Sequence, residues 1–130
     1  MRFPRDFWWG AATAAHQIEG NNVRNDWWRA EEGGLLPHRS GDACDSWNRW
    51  ADDIRLLQDM GLNAYRFSVE WARIEPEPGR FDHTALDTYG RMLEAMHAAG
   101  IEIDPKTGLP RIGGRKMQPL LRLYARMART

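Results

Sequence analysis

A strict alternation runs through Leu62–Pro76, LNAYRFSVEWARIEP. In an extended chain Tyr65, Phe67, Val69 and Trp71 fall on one side, and Arg66, Ser68 and Glu70 on the other. The apolar side can pack on helices. The other side cannot be pressed on an apolar core, because an unpaired charge or hydroxyl there is costly to bury. The strand is expected over about Ala64–Ser68, and Pro76, Pro78 and Gly79 end the extended run. Helical patterns lie before and after it, which is the setting of a βαβ unit in an α/β fold. In such folds polar residues near a strand's C-terminal end commonly point into a site.

The rest of the chain fits around that strand. Phe7–Gly20, FWWGAATAAHQIEG, passes from aromatics to small residues that let a strand lie close to its neighbours. That strand is expected at about Trp8–Ala12, with Gln17 and Glu19 just past its end. Asn21–Asp45 is long, polar and rich in turn formers, so it reads as a loop with a helical turn around Asp26–Glu32. Trp27, Trp28, Leu35 and Leu36 argue that this loop is packed. Asp45 or Ser46 can cap a helix to Met60, in which Trp47, Trp50, Ile54, Leu57 and Met60 recur at helical spacing and Gly61 stops the run. Asp82 or Thr84 caps the next helix, Thr84–Ala99, with a stripe of Ala85, Leu86, Tyr89, Leu93, Met96 and His97 ended by Gly100. His97 reads as a capping or surface residue. Ile101–Ile103 can start a strand, 104–114 is turn-rich, and Met117–Met127 is a helix candidate.

With 130 residues the chain is one domain or part of one, well short of the ~250 residues usual for a (β/α)8 barrel. Zero net charge gives no reason to expect nucleic acid as a partner. The charge is uneven: residues 101–130 hold seven bases against two acids, and residues 1–100 hold 16 acids against 11 bases. That shift marks a boundary near residue 101. The single Cys44 excludes an internal disulfide, fits a reducing, cytoplasmic compartment, and reads as a small buried hydrophobe rather than a nucleophile. Asp6 and the polar residues after Ala15 argue against a signal peptide, and no run of ~18 apolar residues suggests a membrane span. Four histidines show no ligand spacing, and no phosphate loop or nucleophile elbow occurs, so neither cofactor nor metal is expected. Seven tryptophans are compatible with core filling or with a sugar cleft, where flat sugar faces stack on rings.

Phe7–Glu19, then DWW at Asp26–Trp28, the run from Gly41 to Gly79 and GRFDHTALDTYGRMLEAMHAAGIE closely resemble glycoside hydrolase family 1, the β-glucosidase and β-galactosidase type. Asn21 departs from that pattern, where a small residue is usual. The resemblance implies that residues 1–102 are the N-terminal βαβα portion of a TIM (β/α)8 barrel. Residues 103–130 are expected to form a turn-rich basic tail with a C-terminal helix, which faintly resembles the family's last barrel unit. It implies a β-linked glucoside or galactoside as ligand.

The resemblance also assigns roles. Gln17 matches the residue that hydrogen-bonds sugar hydroxyls, work an amide suits because it donates and accepts at once. Arg66 matches the arginine beside the nucleophilic carboxylate, where a positive charge keeps that carboxylate ionised. Family chemistry is retaining hydrolysis by two carboxylates ~5–5.5 Å apart. Its Asn-Glu-Pro and Thr/Glu-Asn-Gly segments do not occur in this sequence, so no catalytic residue is assigned. Glu19, Glu70 and Glu75 are substitutes only by residue type. The expectation is a truncated or internally deleted β-glycosidase, inactive as this chain. A non-catalytic sugar-binding or interaction module and a remnant without function are the rival readings. The two strands are expected to be parallel neighbours with both helices on one face. Ile101–Ile103 belongs beside the second strand, because a right-handed crossover carries it there. The open sheet then favours self-association.

Overall fold

The computed structural model describes residues 2–102. Two short parallel strands, β1 (Gly10–Ala12) and β2 (Ala64–Arg66), pair with Gly10 opposite Ala64 and Ala12 opposite Arg66. Between them lie α1 (Ala15–Ile18), α2 (Asp26–Glu32) and α3 (Ser46–Asp59), and after β2 come α4 (Trp71–Ile74) and α5 (His83–Ala98). Gly10 is required at the pairing: a Cβ there would lie 2.6 Å from the Ala64 carbonyl oxygen. The small residues after the Trp pair therefore do let the strands approach closely.

Ile54 and Leu57 of α3, Tyr65 of β2, Ile74 of α4 and the Ala85–Tyr89–Met92–Met96 stripe of α5 form one buried core, closed by Ile101. Tyr65 is buried and Arg66 exposed, so the alternation predicts which face of the strand meets the helices. Phe67, Val69 and Trp71 pack partly against the same core. On the far edge of β2, Tyr65 N–H donates to the Glu102 carbonyl and Glu102 N–H to the Asn63 carbonyl, at 3.1 and 2.8 Å. The chain after α5 thus arrives beside β2, in parallel. Ile103, the 104–114 turns and the Met117–Met127 helix lie outside the described residues.

Several expectations need correction. The strand does not run toward Pro76; it ends at Arg66, and Trp71–Ile74 is helical. Glu70 makes the change, since its carboxylate accepts from Ala72 N–H as the N-cap of α4 and its own N–H donates to the Tyr89 hydroxyl. Period two cannot register a cap, whereas the spacing from half-buried Trp71 to fully buried Ile74 is already helical. Asp45 stands at the N-cap of α3 but does not cap it; in the left-handed conformation it accepts from the Asn48 amide instead. Ser46 Oγ donates to Asp53. Asp82, by contrast, caps α5 through Thr84 and Ala85 N–H. Met60 is exposed, although its spacing placed it on the apolar stripe. His97, read as a capping or surface residue, is exposed on the rim of the α5 stripe.

The loop helix α2 forms where expected, and only part of the loop's apolar set packs, with Trp28 and Leu36 half-buried. Trp27 and Leu35 are exposed, while Asn22, Asn25 and Glu31 are buried. Cys44 is exposed in a turn and not a core residue. Of the tryptophans, Trp47, Trp50 and Trp71 pack against the core, whereas Trp8, Trp9 and Trp27 are largely exposed.

Candidate functional site

The C-terminal ends of β1 and β2 finish side by side, tied by Thr13 N–H donating to the Arg66 carbonyl at 3.0 Å. Thr13 Oγ1 and the Tyr65 hydroxyl, 2.7 Å apart, join them again. Arg66 lies on the strand face opposite Tyr65 and is exposed. Gln17 lies in α1, one turn beyond β1, and is also exposed. Among the described residues neither side chain has a hydrogen-bond or ion-pair partner. The structure thus brings both expected residues to one end of the sheet and leaves both available, without joining them.

The neighbours of Gln17 are held firmly on either side. His16 Nε2 lies 2.8 Å from Glu31 Oε1, and His16 Nδ1 lies 3.0 Å from the Asn25 amide nitrogen. That amide nitrogen also donates to Glu70 Oε2 at 2.7 Å, so α1, α2 and the head of α4 share one polar chain. Burial alone would raise Glu31; the hydrogen bonds from His16 and Ser40 outweigh it and hold the carboxyl below its ordinary value. On the other side, Glu19 is buried and accepts from the Tyr89 hydroxyl at 2.6 Å and from Arg73 Nε at 3.0 Å. Arg73 lies 4.2 Å over the Trp47 ring and also donates to the Gly20 carbonyl. Burial pushes Glu19 above its ordinary value, and the Tyr89 and Arg73 contacts offset that only in part. Tyr89 is raised far above an ordinary phenol, by burial and by the Glu19 charge beside it.

The carboxylates that tempt a catalytic reading are all occupied. Glu19 serves the Tyr89–Arg73 cluster, Glu70 caps α4 and receives Asn25, and Glu75 accepts from Trp71 Nε1 at 2.7 Å and Gly79 N–H at 2.8 Å. Among the described residues no group of three His, Cys, Asp or Glu side chains is placed to hold a metal. A separate cleft of about 670 Å³ opens between residues 21–24, α4 and the start of α5, beside Trp47, Glu70 and Arg73; neither Gln17 nor Arg66 lines it. The sequence reading missed the roles of His16, Asn25 and Arg73. His16 lacks metal-ligand spacing, and the signal it carries in the sequence is adjacency to Gln17. Asn25, three residues before Trp28, stands at N-cap spacing, and its Oδ1 does accept from Trp28 N–H.

With this geometry in place, comparison with known proteins is informative. The model of glycosyl hydrolase family 1 matches residues 1–106. The chain is 39% identical over 109 residues to beta-glucosidase A of Thermotoga maritima, covering 77% of this chain and 24% of that protein. The solved structure of beta-glycosidase BGL167 matches with a TM-score of 0.74 at 52% identity, over 78% of this chain and 25% of that one. The beta-glucosidase of Thermotoga maritima in complex with methoxycarbonyl-substituted glucoimidazole matches with a TM-score of 0.70 at 37% identity, over 78% of this chain and 25% of that one. The chain therefore spans about a quarter of the length of these relatives. Its described residues are a partial α/β fragment whose neighbours are TIM-barrel β-glycosidases.

Proposed function

The chain belongs to glycosyl hydrolase family 1, and from that premise we propose that residues 1–102 form the glycone-side wall of a β-glycoside pocket. Gln17 is its sugar-hydroxyl ligand, and Arg66 is the cation that a nucleophilic carboxylate would face in retaining hydrolysis. The supporting observation is that both side chains stand exposed, and without a partner among the described residues, at the shared C-terminal end of β1 and β2. By itself the 130-residue chain binds a gluco-configured ligand weakly and does not hydrolyse it. A relative held with a glucoimidazole suggests the probe.

Titration with a glucoimidazole, wild type against Gln17→Ala, tests this. One wall cannot enclose a sugar, so affinity weaker than micromolar is expected. Each neutral hydrogen bond nets ~0.5–1.5 kcal/mol, which predicts a loss of about two- to twelvefold in Gln17→Ala. Micromolar affinity, or affinity indifferent to Gln17→Ala, would count against the assignment.

The same reading has a consequence for assembly. Two strands cannot close a barrel, and exposed Trp8 and Trp9 flank β1. Open strand edges and grouped apolar surface promote association. The purified chain should elute larger than a monomer on sizing chromatography, and a concentration-independent monomer would refute this. No helix of the described residues is long and apolar enough to cross a membrane. The lone Cys44 supports a reducing, cytoplasmic setting.

A further inference from the structure

We propose that His16 is the positioning residue for Gln17: its ring, held as the neutral Nε2–H tautomer between Asn25 and Glu31, clamps α1 from two sides, and taking up a second proton breaks the Asn25 side of that clamp. The effect on a bound sugar rests on the reading of Gln17 given above; the clamp itself does not.

The tautomer follows from Asn25. Trp28 N–H donates to Asn25 Oδ1 at 2.9 Å, which fixes which end of that amide is oxygen. The nitrogen end has two hydrogens and two neighbours, Glu70 Oε2 at 2.7 Å and His16 Nδ1 at 3.0 Å. Nδ1 must therefore accept, which leaves the ring proton on Nε2, where it donates to Glu31 Oε1 at 2.8 Å. Every donor on this path meets an acceptor.

A second proton would sit on Nδ1 and point at the Asn25 N–H, donor against donor. Asn25 cannot turn over to accept it, because its oxygen is engaged with Trp28 and a reversed amide would set that oxygen against Glu70. Glu31 on α2 attracts the protonated ring, and Glu70 at the head of α4 lies behind Asn25. Trp27, whose ring centroid is 6.3 Å from that of His16, adds no charge. The Glu31 contact therefore survives protonation while the Asn25 contact is lost.

This matters to Gln17 because α1 has only four residues and no side-chain cap. So short a helix does not hold itself; its ends must be anchored from outside. Glu19 anchors the far end through Tyr89 and Arg73, and His16 anchors the near end through both Asn25 and Glu31. Gln17 lies between the two anchors.

Nitrogen-15 NMR of the full chain, followed as the pH is lowered until the His16 ring is protonated, tests the clamp. The expected result is an unprotonated Nδ1 and a protonated Nε2 at the start. The Gln17 backbone and side-chain amide resonances should then move together with protonation of His16. His16→Gln carries an acceptor and a donor and does not titrate, so it should hold the Gln17 resonances near their wild-type values at every pH. Nδ1–H at the start, or Gln17 resonances indifferent to His16 protonation, would overturn the proposal. If His16→Gln does not fold, the wild-type titration alone decides. Glucoimidazole affinity, measured in parallel, should fall about fivefold as His16 protonates, the worth of one hydrogen bond. Absence of binding at any pH, with the NMR result intact, would defeat the sugar reading and leave the clamp standing.

Discussion

The purified 130-residue chain is expected to release no nitrophenol from aryl β-glucosides or β-galactosides above the buffer rate. Retaining hydrolysis needs one carboxyl group as acid and base and a second as nucleophile, ~5–5.5 Å from the first. Neither family segment that supplies them occurs in the sequence. Glu19, Glu70 and Glu75 each already have donors from the chain itself, and serve a buried cluster, a helix cap and a turn. The oxygens of each are therefore engaged in holding the fold. Arg66 is exposed, yet an arginine alone supplies neither proton transfer nor a covalent intermediate. Enzymes of this kind derive many orders of magnitude in rate from that missing pair. Turnover that disappears in Glu70→Gln or Glu19→Gln would show that one of these carboxylates leaves its structural partners and reacts.

The fold was legible wherever a residue's partner lies on its own element or on the adjacent one. The Tyr65/Arg66 alternation, the Asp82 cap and the α3 and α5 stripes are such cases, because periodicity and capping are local rules. The strand's early end was legible only in part. The Glu70 cap on Ala72 N–H and the helical spacing of Trp71 and Ile74 lie inside the Leu62–Pro76 window, but the Tyr89 hydroxyl that accepts the Glu70 N–H, 19 residues away, does not. Gln17 and Arg66 are named from the family pattern, and both are exposed at the strand ends. The polar chain that holds α1 was hidden for a different reason. His16, Asn25, Glu31 and Glu70 are ordinary polar residues of loops and caps, and only packing makes them one network. Tyr89 shows the same limit, since spacing identifies its ring as core but says nothing of the hydroxyl that reaches Glu19.

Glu19→Ala should destabilise the chain by about 3 kcal/mol, a large share of a small domain's stability. Glu19 is 5% exposed and holds together elements far apart in the chain. Its carboxylate takes the Tyr89 hydroxyl of α5 and the Arg73 guanidinium of α4, and its carbonyl receives Trp47 N–H in the first turn of α3. Removing the carboxylate leaves Arg73, 20% exposed, without its ion-pair partner, and leaves the buried Tyr89 hydroxyl without its acceptor. Leaving such groups unpaired costs more than the pair itself is worth. Glu19→Gln keeps an acceptor for Tyr89 and should lose roughly half as much. The pH dependence has a definite sign. Because burial raises the folded-state pKa above the unfolded value, the folded protein takes up this proton first. Stability from this group therefore falls as pH rises from the ordinary carboxylate value to the raised one, and is flat above it. Urea unfolding of wild type, Glu19→Ala and Glu19→Gln at a series of pH values reads both effects. The acid-side gain should be present in wild type and missing from both variants. An Ala variant that unfolds at the wild-type urea concentration would show that the Glu19 cluster does not hold α4 and α5 to the strand end.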